Sequence, residues 1–221
     1  MAMGLSACES LFAESETPAT DIPRFYTDTS ILTNDPCAPP CWYGLTPNES
    51  AADEVVSALR GIQFLNPESI RERETEYWDP VAHVYLHGEL VAADCRHPQG
   101  LQCVGITAAD GRVKEITVFL NFPIVMGEVI RSLGEPDYLR VFQQGGQFPG
   151  CHTQLLYVDE QVVFASKEED TGGTGSACIR GSWDPFTSPG LRIQKIVYES
   201  EQWFVAIPDG DMDLPWADVQ E

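Results

Sequence analysis

Hydrophobic residues recur at helical spacing in two short stretches of the chain. The later stretch carries them at Met126, Val129, Ile130 and Leu133. The earlier stretch repeats the arrangement at Ala52, Val55, Val56 and Leu59. This spacing lines one face of an amphipathic helix, and a glycine follows each stretch where a helix would end. The pattern therefore predicts two similar short helices, each with one buried face.

The residues before these stretches resemble helix starts. Asn48 or Ser50 is expected to cap the first helix, because short polar side chains accept hydrogen bonds from free helical N–H groups. Pro123 is acceptable in the first turn of the second helix, since that turn needs no N–H donor there. Glu54 and Glu128 occupy the same place in the two stretches. The second helix is thus predicted to be a copy of the first.

Alternating patterns after each helix indicate β-strands. In the first half, alternation runs from about residue 75 to 85, Gly88 is expected to end that run, and another strand begins near residue 90. Asp110-Gly111 predicts a tight hairpin between residues 102–107 and 112–120. In the second half, the same reasoning predicts strands at 138–143, 153–158, 161–165, 178–182 and 191–198.

The closing strands of the two halves also resemble each other. Arg112 to Ile116 and Arg192 to Ile196 share an arginine, a β-branched neighbour and a later isoleucine. A helix followed by antiparallel strands forms an α+β layer. We predict an α+β fold with an internal duplication, in which each unit is a short helix packed on an antiparallel sheet of three to four strands.

Composition changes set the expected boundaries of these units. Residues 1–36 read as a lipobox-like N-terminus and a flexible tether, because they are rich in Glu, Ser, Thr and Pro and lack periodicity. Residues 37–120 form the first α+β unit and residues 121–207 the second. Within the second unit, residues 167–175 are expected to form a mobile loop tip. An acidic, exposed tail follows the second unit at 208–221.

The second helix carries the motif Gly-Glu-Val-Ile-x-x-Leu-Gly-Glu-Pro-Asp at residues 127–137. With the helix-then-strands order, this motif resembles the small lipoprotein domain of the outer-membrane barrel-assembly machinery and the tandem fold of the β-lactamase inhibitory protein. The resemblance covers about residues 42–204 in architecture. It implies a protein-binding role, because units of this kind commonly bind other proteins, but no contact residue of those families maps onto a position of this chain.

The charge of the chain narrows the possible partners. Its 221 residues include 34 acidic and 13 basic residues, for a net charge of −21. Such a charge repels phosphate backbones and anionic lipid heads, so nucleic acid is excluded as a partner, whereas cationic partners and divalent ions stay open. No apolar run reaches the length of a membrane helix. Contact with a membrane is expected through a lipid anchor alone.

Seven cysteines indicate an oxidising compartment. Six of them can form three disulfides, for which 15 connectivities are possible. Joining each cysteine to the next one along the chain is the simplest of these connectivities. The predicted disulfides join Cys37 to Cys41, Cys95 to Cys103, and Cys151 to Cys178.

Cys8 is the cysteine left over, and it has its own explanation. The sequence Leu-Ser-Ala-Cys ending at Cys8 resembles a bacterial lipobox, in which the cysteine is lipidated and becomes the mature N-terminus. The residues before it lack the basic and apolar regions of a signal peptide, as a misplaced start would explain. We predict lipidation at Cys8 and an extracytoplasmic protein, either lipid-anchored to the cell membrane or secreted.

Histidines are the first candidates for catalytic or metal chemistry. His83 and His87 would share one face of a strand, and with His97 and the cysteines they could form a zinc site. The paired C-x2-C units of structural zinc sites do not occur in the sequence. His152 follows Cys151, but neighbours on a strand point to opposite faces, which disfavours a thiol–imidazole pair. We expect no zinc site and no catalytic histidine.

Other motifs give no stronger signal. Residues 209–213 imitate the start of a calcium loop, but Leu214 stands where that loop requires glycine and Gln220 where it requires glutamate. No nucleophile elbow, phosphate loop or dinucleotide fingerprint occurs. We therefore predict no catalytic residue and no cofactor.

The sequence thus favours a non-enzymatic, lipid-anchored protein-binding module of the bacterial envelope. Two alternatives stay open. One is a secreted hydrolase or metal-dependent enzyme with a dispersed site, since 34 carboxylates could hide an acid–base pair. The other is an acidic protein inhibitor that docks on a basic enzyme cleft, as the resemblance to the inhibitory protein implies. Whatever the function is, its residues are expected on the sheets and not on the helices.

Overall fold

A computed structural model describes residue 28 and residues 30–79, 82–96, 101–144, 150–168, 192–199 and 213–215. Within these residues, no helix has the length and apolar content needed to cross a membrane. The helices are α1 (Ser30–Thr33), α2 (Val55–Gly61) and α3 (Met126–Leu133), with short 3-10 turns at Ala52–Glu54 and Pro67–Ser69.

The strands of this region build one antiparallel sheet. In chain order they are β1 (Arg71–Asp79), β2 (Val84–Asp94), β3 (Gln102–Ala109), β4 (Arg112–Val125), β5 (Tyr138–Gln144), β6 (Gly150–Tyr157), β7 (Val162–Glu168), β8 (Arg192–Tyr198) and β9 (Asp213–Pro215). Their order across the sheet is β1-β2-β3-β4-β8-β7-β6-β5-β9. Two consecutive meanders therefore meet at β4 and β8, and the predicted class of helices on an antiparallel sheet is confirmed at this level.

The hairpins follow the turn chemistry of the sequence. Asp110 and Gly111 both have positive φ, at 50° and 72°, as the tightest two-residue turn between antiparallel strands requires. The expected tail contributes β9, whose residues 213–215 pair with Tyr138–Arg140 of β5. Part of the segment expected to be an acidic, exposed tail thus forms the edge strand β9 beside β5.

The start of α2 differs from the prediction. Ser50 Oγ accepts the N–H of Thr46 at 2.9 Å, and Asn48 Oδ1 accepts the Lys114 ammonium at 3.2 Å. Neither side chain caps a helix, so that prediction was wrong. The cause is the adjacent strand, because the backbone N–H of Asn48 donates to Val113 at 2.7 Å and holds this segment against β4.

The start of α3 also differs from the prediction. Strand β4 continues to Val125 and α3 begins at Met126, so Pro123 lies in a strand and not in a first helical turn. A proline fits there because the register of β4 on β8 breaks between Phe119 and Ile124, where no ladder N–H is required. Helix α3 then buries Met126, Val129 and Ile130, as its pattern predicts.

Strand β2 passes through Gly88 without interruption, so the expected break there was wrong. A Cβ atom at Gly88 would collide with the carbonyl oxygen of Ala108 on β3, and glycine is required by that close approach. His83 lies in the turn before β2, with a φ of 53°. It therefore does not share a strand face with His87, contrary to the prediction.

The core lies between the helices and one face of the sheet. Buried residues from both meanders form one cluster, including Val55 and Leu59 of α2, Val129 of α3, Ile116 of β4 and Phe164 of β7. The segment before α2 also contributes to this core, because Trp42 is fully buried and donates its indole N–H to Asp28 Oδ2 at 2.7 Å. The apolar helix faces and alternating strands are thus joined by burial in a shared core.

Candidate functional site

The hairpin of β1 and β2 extends beyond the part of the sheet that the helices cover. On the helix side of the sheet, Val91 and Ala93 of β2 are buried in the core. Glu72 pairs directly with Val91 across the strands and so projects on the same face. Further along the hairpin, this face is exposed. The exposed part follows from the length of the strands, which outreach the short helices.

This exposed part, the acidic–aromatic face, consists of Glu72, Glu74, Glu76, Trp78, Tyr85, His87 and Glu89. Strict alternation places them on one side of the hairpin, since successive residues of a strand point to opposite faces. The direct cross-strand pairs are Glu74 with Glu89, Glu76 with His87, and Trp78 with Tyr85. A strip of carboxylates therefore leads to an aromatic end.

The aromatic end has unusual exposure for its residue types. The rings of Trp78 and Tyr85 lie 4.9 Å apart between centroids, and His83 packs 6.0 Å from Trp78. Trp78 keeps 43% and Tyr85 67% of its surface exposed. Exposed apolar groups gathered in one place, with a polar rim, are typical of protein-binding surfaces.

An open cavity of about 500 Å³ adjoins this face. Glu74, His87 and Glu89 line one side, and Ala52 and Asp110 line the other. Its walls are therefore acidic. Among the residues that the structure describes, no group of three or more His, Cys, Asp or Glu side chains is placed to hold a metal ion. Carboxylates on these walls attract positively charged groups.

A second group of carboxyls lies on the opposite face of the sheet. Glu199, just after β8, is only 4% exposed and interacts with the carboxyl of Glu115 on β4. The Thr117 hydroxyl donates to Glu115 Oε1. No donor or acceptor among the described atoms reaches Glu199 Oε2. Two carboxyls thus face each other across the strands in which the meanders meet.

Burial sets the protonation of this pair. Loss of hydration raises the pKa of Glu199 well above its usual range, the negative charge of Glu115 raises it further, and Lys195 opposes the shift. Burial, followed by the charge of Glu199, likewise raises the pKa of the Tyr77 phenol. Paired carboxyls with one raised pKa can serve as an acid and a base. Neither glutamate, however, lines the cavity beside the acidic–aromatic face.

The structure joins four of the predicted site residues. Cys37 bonds to Cys41, and Cys95 to Cys103, with Cα atoms 5.8 and 5.1 Å apart. A disulfide removes both thiolates as metal ligands, so Cys95 and Cys103 cannot complete a zinc site with His87. The remaining disulfide and the lipidation stay predictions, because Cys8 and Cys178 lie outside the described residues. His97 and residues 209–212 of the calcium-loop-like segment also lie outside the described residues.

Sequence reasoning named neither the acidic–aromatic face nor the glutamate pair. The signal for the first was present: Arg-Glu-Arg-Glu-Thr-Glu at residues 71–76 places every glutamate on one side of a strand. The sequence has no comparable signal for the second, since Glu115 and Glu199 meet only after β4 pairs with β8. No protein-family model matches the chain, and neither a curated protein nor a solved structure shows significant similarity to it.

Proposed function

We propose that this protein is a non-enzymatic protein-binding module that acts outside the cytoplasm, held at a bacterial cell membrane by a lipid on Cys8. The observation that carries the binding role is the acidic–aromatic face, where Trp78 and Tyr85 are exposed beside a strip of glutamates. Aromatic residues contribute much of the free energy of protein–protein binding, and a charged rim selects the partner.

The extracytoplasmic address is supported by covalent chemistry. Disulfides such as Cys37–Cys41 and Cys95–Cys103 persist in oxidising compartments and are rare in the cytosol of mesophiles. Lipidation at Cys8 would add the anchor that the sequence implies. Membrane fractionation of cells that produce the chain behind a lipoprotein signal peptide tests this part, since Cys8→Ser is expected to move the protein from the membrane to the soluble fraction.

The proposal includes an internal duplication, supported by the sheet register. Thr117 of β4 pairs with Val197 of β8, and the flanking pairs Ile116–Tyr198 and Val118–Ile196 are related by exchange of the two strands. The register of β3 on β4 also shifts after Thr107, and that of β7 on β8 after Ala165. The two shifts occupy corresponding places, because Thr107 pairs with Glu115 and Ala165 with Lys195 before them.

The test of binding uses the aromatic end. The full chain, cross-linked in the native envelope, is the bait for its partner, and the purified partner is then titrated against variants. Trp78→Ala combined with Tyr85→Ala is expected to weaken binding by at least about a hundredfold, as loss of an aromatic hot spot does. Tyr138→Ala is the matched control, because Tyr138 is an aromatic residue 39% exposed elsewhere on the sheet. Equal binding by all variants would refute the role of this face.

The glutamate pair supports a second candidate, a hydrolase with Glu115 and Glu199 as its acid and base. The change Glu199→Gln distinguishes the hydrolase from the binding module, because it keeps the size of the side chain and removes its titration. A hydrolase would lose its activity on glycoside, ester or peptide substrates with this change. A binding module would retain the affinity for its partner, and a basic enzyme as that partner would make the protein an acidic inhibitor.

A further inference from the structure

We propose that strand β1 is the docking edge of this protein, and that an extended, basic segment of a partner protein adds to it as a further strand. The lysine and arginine side chains of that segment would face Glu72, Glu74 and Glu76. This inference rests on the proposed binding function, and it names the place of binding and the chemistry of the partner.

The first support is the position of β1. It is the outermost strand of the sheet, so among the described strands only β2 pairs with it. Its nine residues, Arg71–Asp79, therefore present one row of backbone N–H and C=O groups away from β2. Such an edge is the template that extended peptides use when they add a strand to a sheet, and main-chain hydrogen bonds then supply affinity.

The second support is uncompensated charge. Glu74 stands directly opposite Glu89, and like charges in that relation destabilise a strand pair. Within the described residues, no ion pair joins these glutamates to a basic side chain. Arg71 projects on the other face and pairs with Asp94 at 2.8 Å, so it does not neutralise them. A strand bearing a cation at every second position would place its charges beside these carboxylates.

The same charges exclude a second copy of this chain as the occupant. Antiparallel pairing of β1 with β1 of another copy keeps the even-numbered residues of both strands on one face. A register centred on Thr75 puts Glu74 opposite Glu76 of the other copy. Centring on Glu74 or Glu76 puts that residue opposite itself. Every register that uses most of the strand therefore opposes glutamate to glutamate, which favours a partner of opposite charge.

The third support is the surroundings of the edge. Trp78 and Tyr85 lie at one end of the same face, where their rings can pack on the aliphatic stem or the cation of a lysine or arginine. The acidic cavity beside Glu74 and Glu89 is open on this face as well. An extended basic segment would thus meet hydrogen-bonding groups, carboxylates and aromatic rings along one line.

The test uses a nine-residue peptide of alternating lysine and valine, labelled and titrated against the full disulfide-bonded chain at about 0.15 M salt, where charges more than about 8 Å apart are largely screened. Glu72→Gln, Glu74→Gln and Glu76→Gln together are expected to weaken binding roughly tenfold. The matched control removes the same charge elsewhere, through Glu49→Gln, Asp53→Asn and Glu68→Gln, all at exposed positions. It is expected to bind as the wild type does.

Backbone pairing is tested with the same peptide carrying N-methyl groups on alternate residues, in two versions that block either set of N–H groups. One version is expected to lose binding, because its blocked groups face β1. Equal binding by both versions, or an equal effect of the two triple variants, would overturn the docking edge. A native partner that binds the Glu72/Glu74/Glu76 variant as tightly as the wild type, and fails to bind the Trp78/Tyr85 variant, would support the binding function and refute docking along the edge of β1. Circular dichroism of each variant checks that it is folded.

Discussion

The buried Glu199 carboxyl makes the free energy of unfolding depend on pH. Its pKa is raised in the folded chain, mainly by burial and then by Glu115. The stability contributed by the neutral form is therefore complete below the ordinary glutamate pKa of about 4.3 and is lost as pH rises toward the raised value. Above that value no further loss arises from this group.

Glu199→Gln should remove this loss. In urea unfolding between pH 4 and pH 8, the free energy of unfolding of the variant should rise relative to that of the wild type by up to about 1.4 kcal/mol per pH unit. This rise should stop once the pH passes the pKa of Glu199 in the folded chain. Glu68→Gln, an exposed change of the same charge, should give a curve parallel to the wild type. A parallel curve for Glu199→Gln would show that the carboxyl is not held neutral.

Gly88 is the second residue whose role is set by a neighbouring strand. Gly88→Ala should destabilise the fold by about 1–3 kcal/mol, because the new methyl group must displace the Ala108 carbonyl. Gly127→Ala in α3 is the matched control, since no atom approaches its Cβ position and alanine favours a helix by about 0.5–1 kcal/mol. Thermal unfolding compares the two, and a similar effect of both changes would contradict the close approach at Gly88.

At the scale of elements, the Cys95–Cys103 disulfide links the end of β2 to the start of β3, and both cysteines are buried. Replacing both by alanine should lower the free energy of unfolding by about 2–3 kcal/mol, as expected for release of a loop of this length. The Cys37–Cys41 disulfide closes a shorter loop, so replacing both of its cysteines by alanine should lower the free energy of unfolding by less. Urea unfolding measures both, and the reverse order would contradict this ranking.

Elements governed by local chemistry were predictable from the sequence. The apolar faces of α2 and α3 and the Asp110-Gly111 hairpin follow from spacing and turn residues alone. Elements governed by a neighbour were not. Pro123 resembles a helix start until the register break in β4 is known, and Asn48 resembles a cap until its backbone is seen to bond to β4.

The candidate site follows the same division. The alternation of Arg-Glu-Arg-Glu-Thr-Glu was readable, but its exposure depends on how far the helices reach over β1 and β2. Glu54 and Glu128 were matched by sequence position alone, and each accepts the N–H of the residue before its helical segment, Ala51 at 3.3 Å and Val125 at 3.4 Å. Similar positions thus received similar local roles, whereas the meeting of Glu115 and Glu199 needed the whole sheet.

At the scale of the molecule, two meanders share one core and one sheet, joined where β4 pairs with β8. This junction lies in the centre and is covered by the core on one side. The hairpin of β1 and β2 lies at the outer edge of the described sheet, and the rings of Trp78 and Tyr85 are exposed there. The centre of the sheet is thus buried against the core, whereas this edge carries the acidic–aromatic face.

Amide hydrogen exchange of the full chain, alone and saturated with the partner captured from the envelope, is the decisive experiment for binding at the acidic–aromatic face. Binding at the acidic–aromatic face should slow exchange within Arg71–Asp79 and along the adjoining part of β2, because a docked partner shields those amides. Exchange in β6 and β7 should stay unchanged. Protection confined to β6 and β7, with none in β1, would show that the partner does not bind at the acidic–aromatic face.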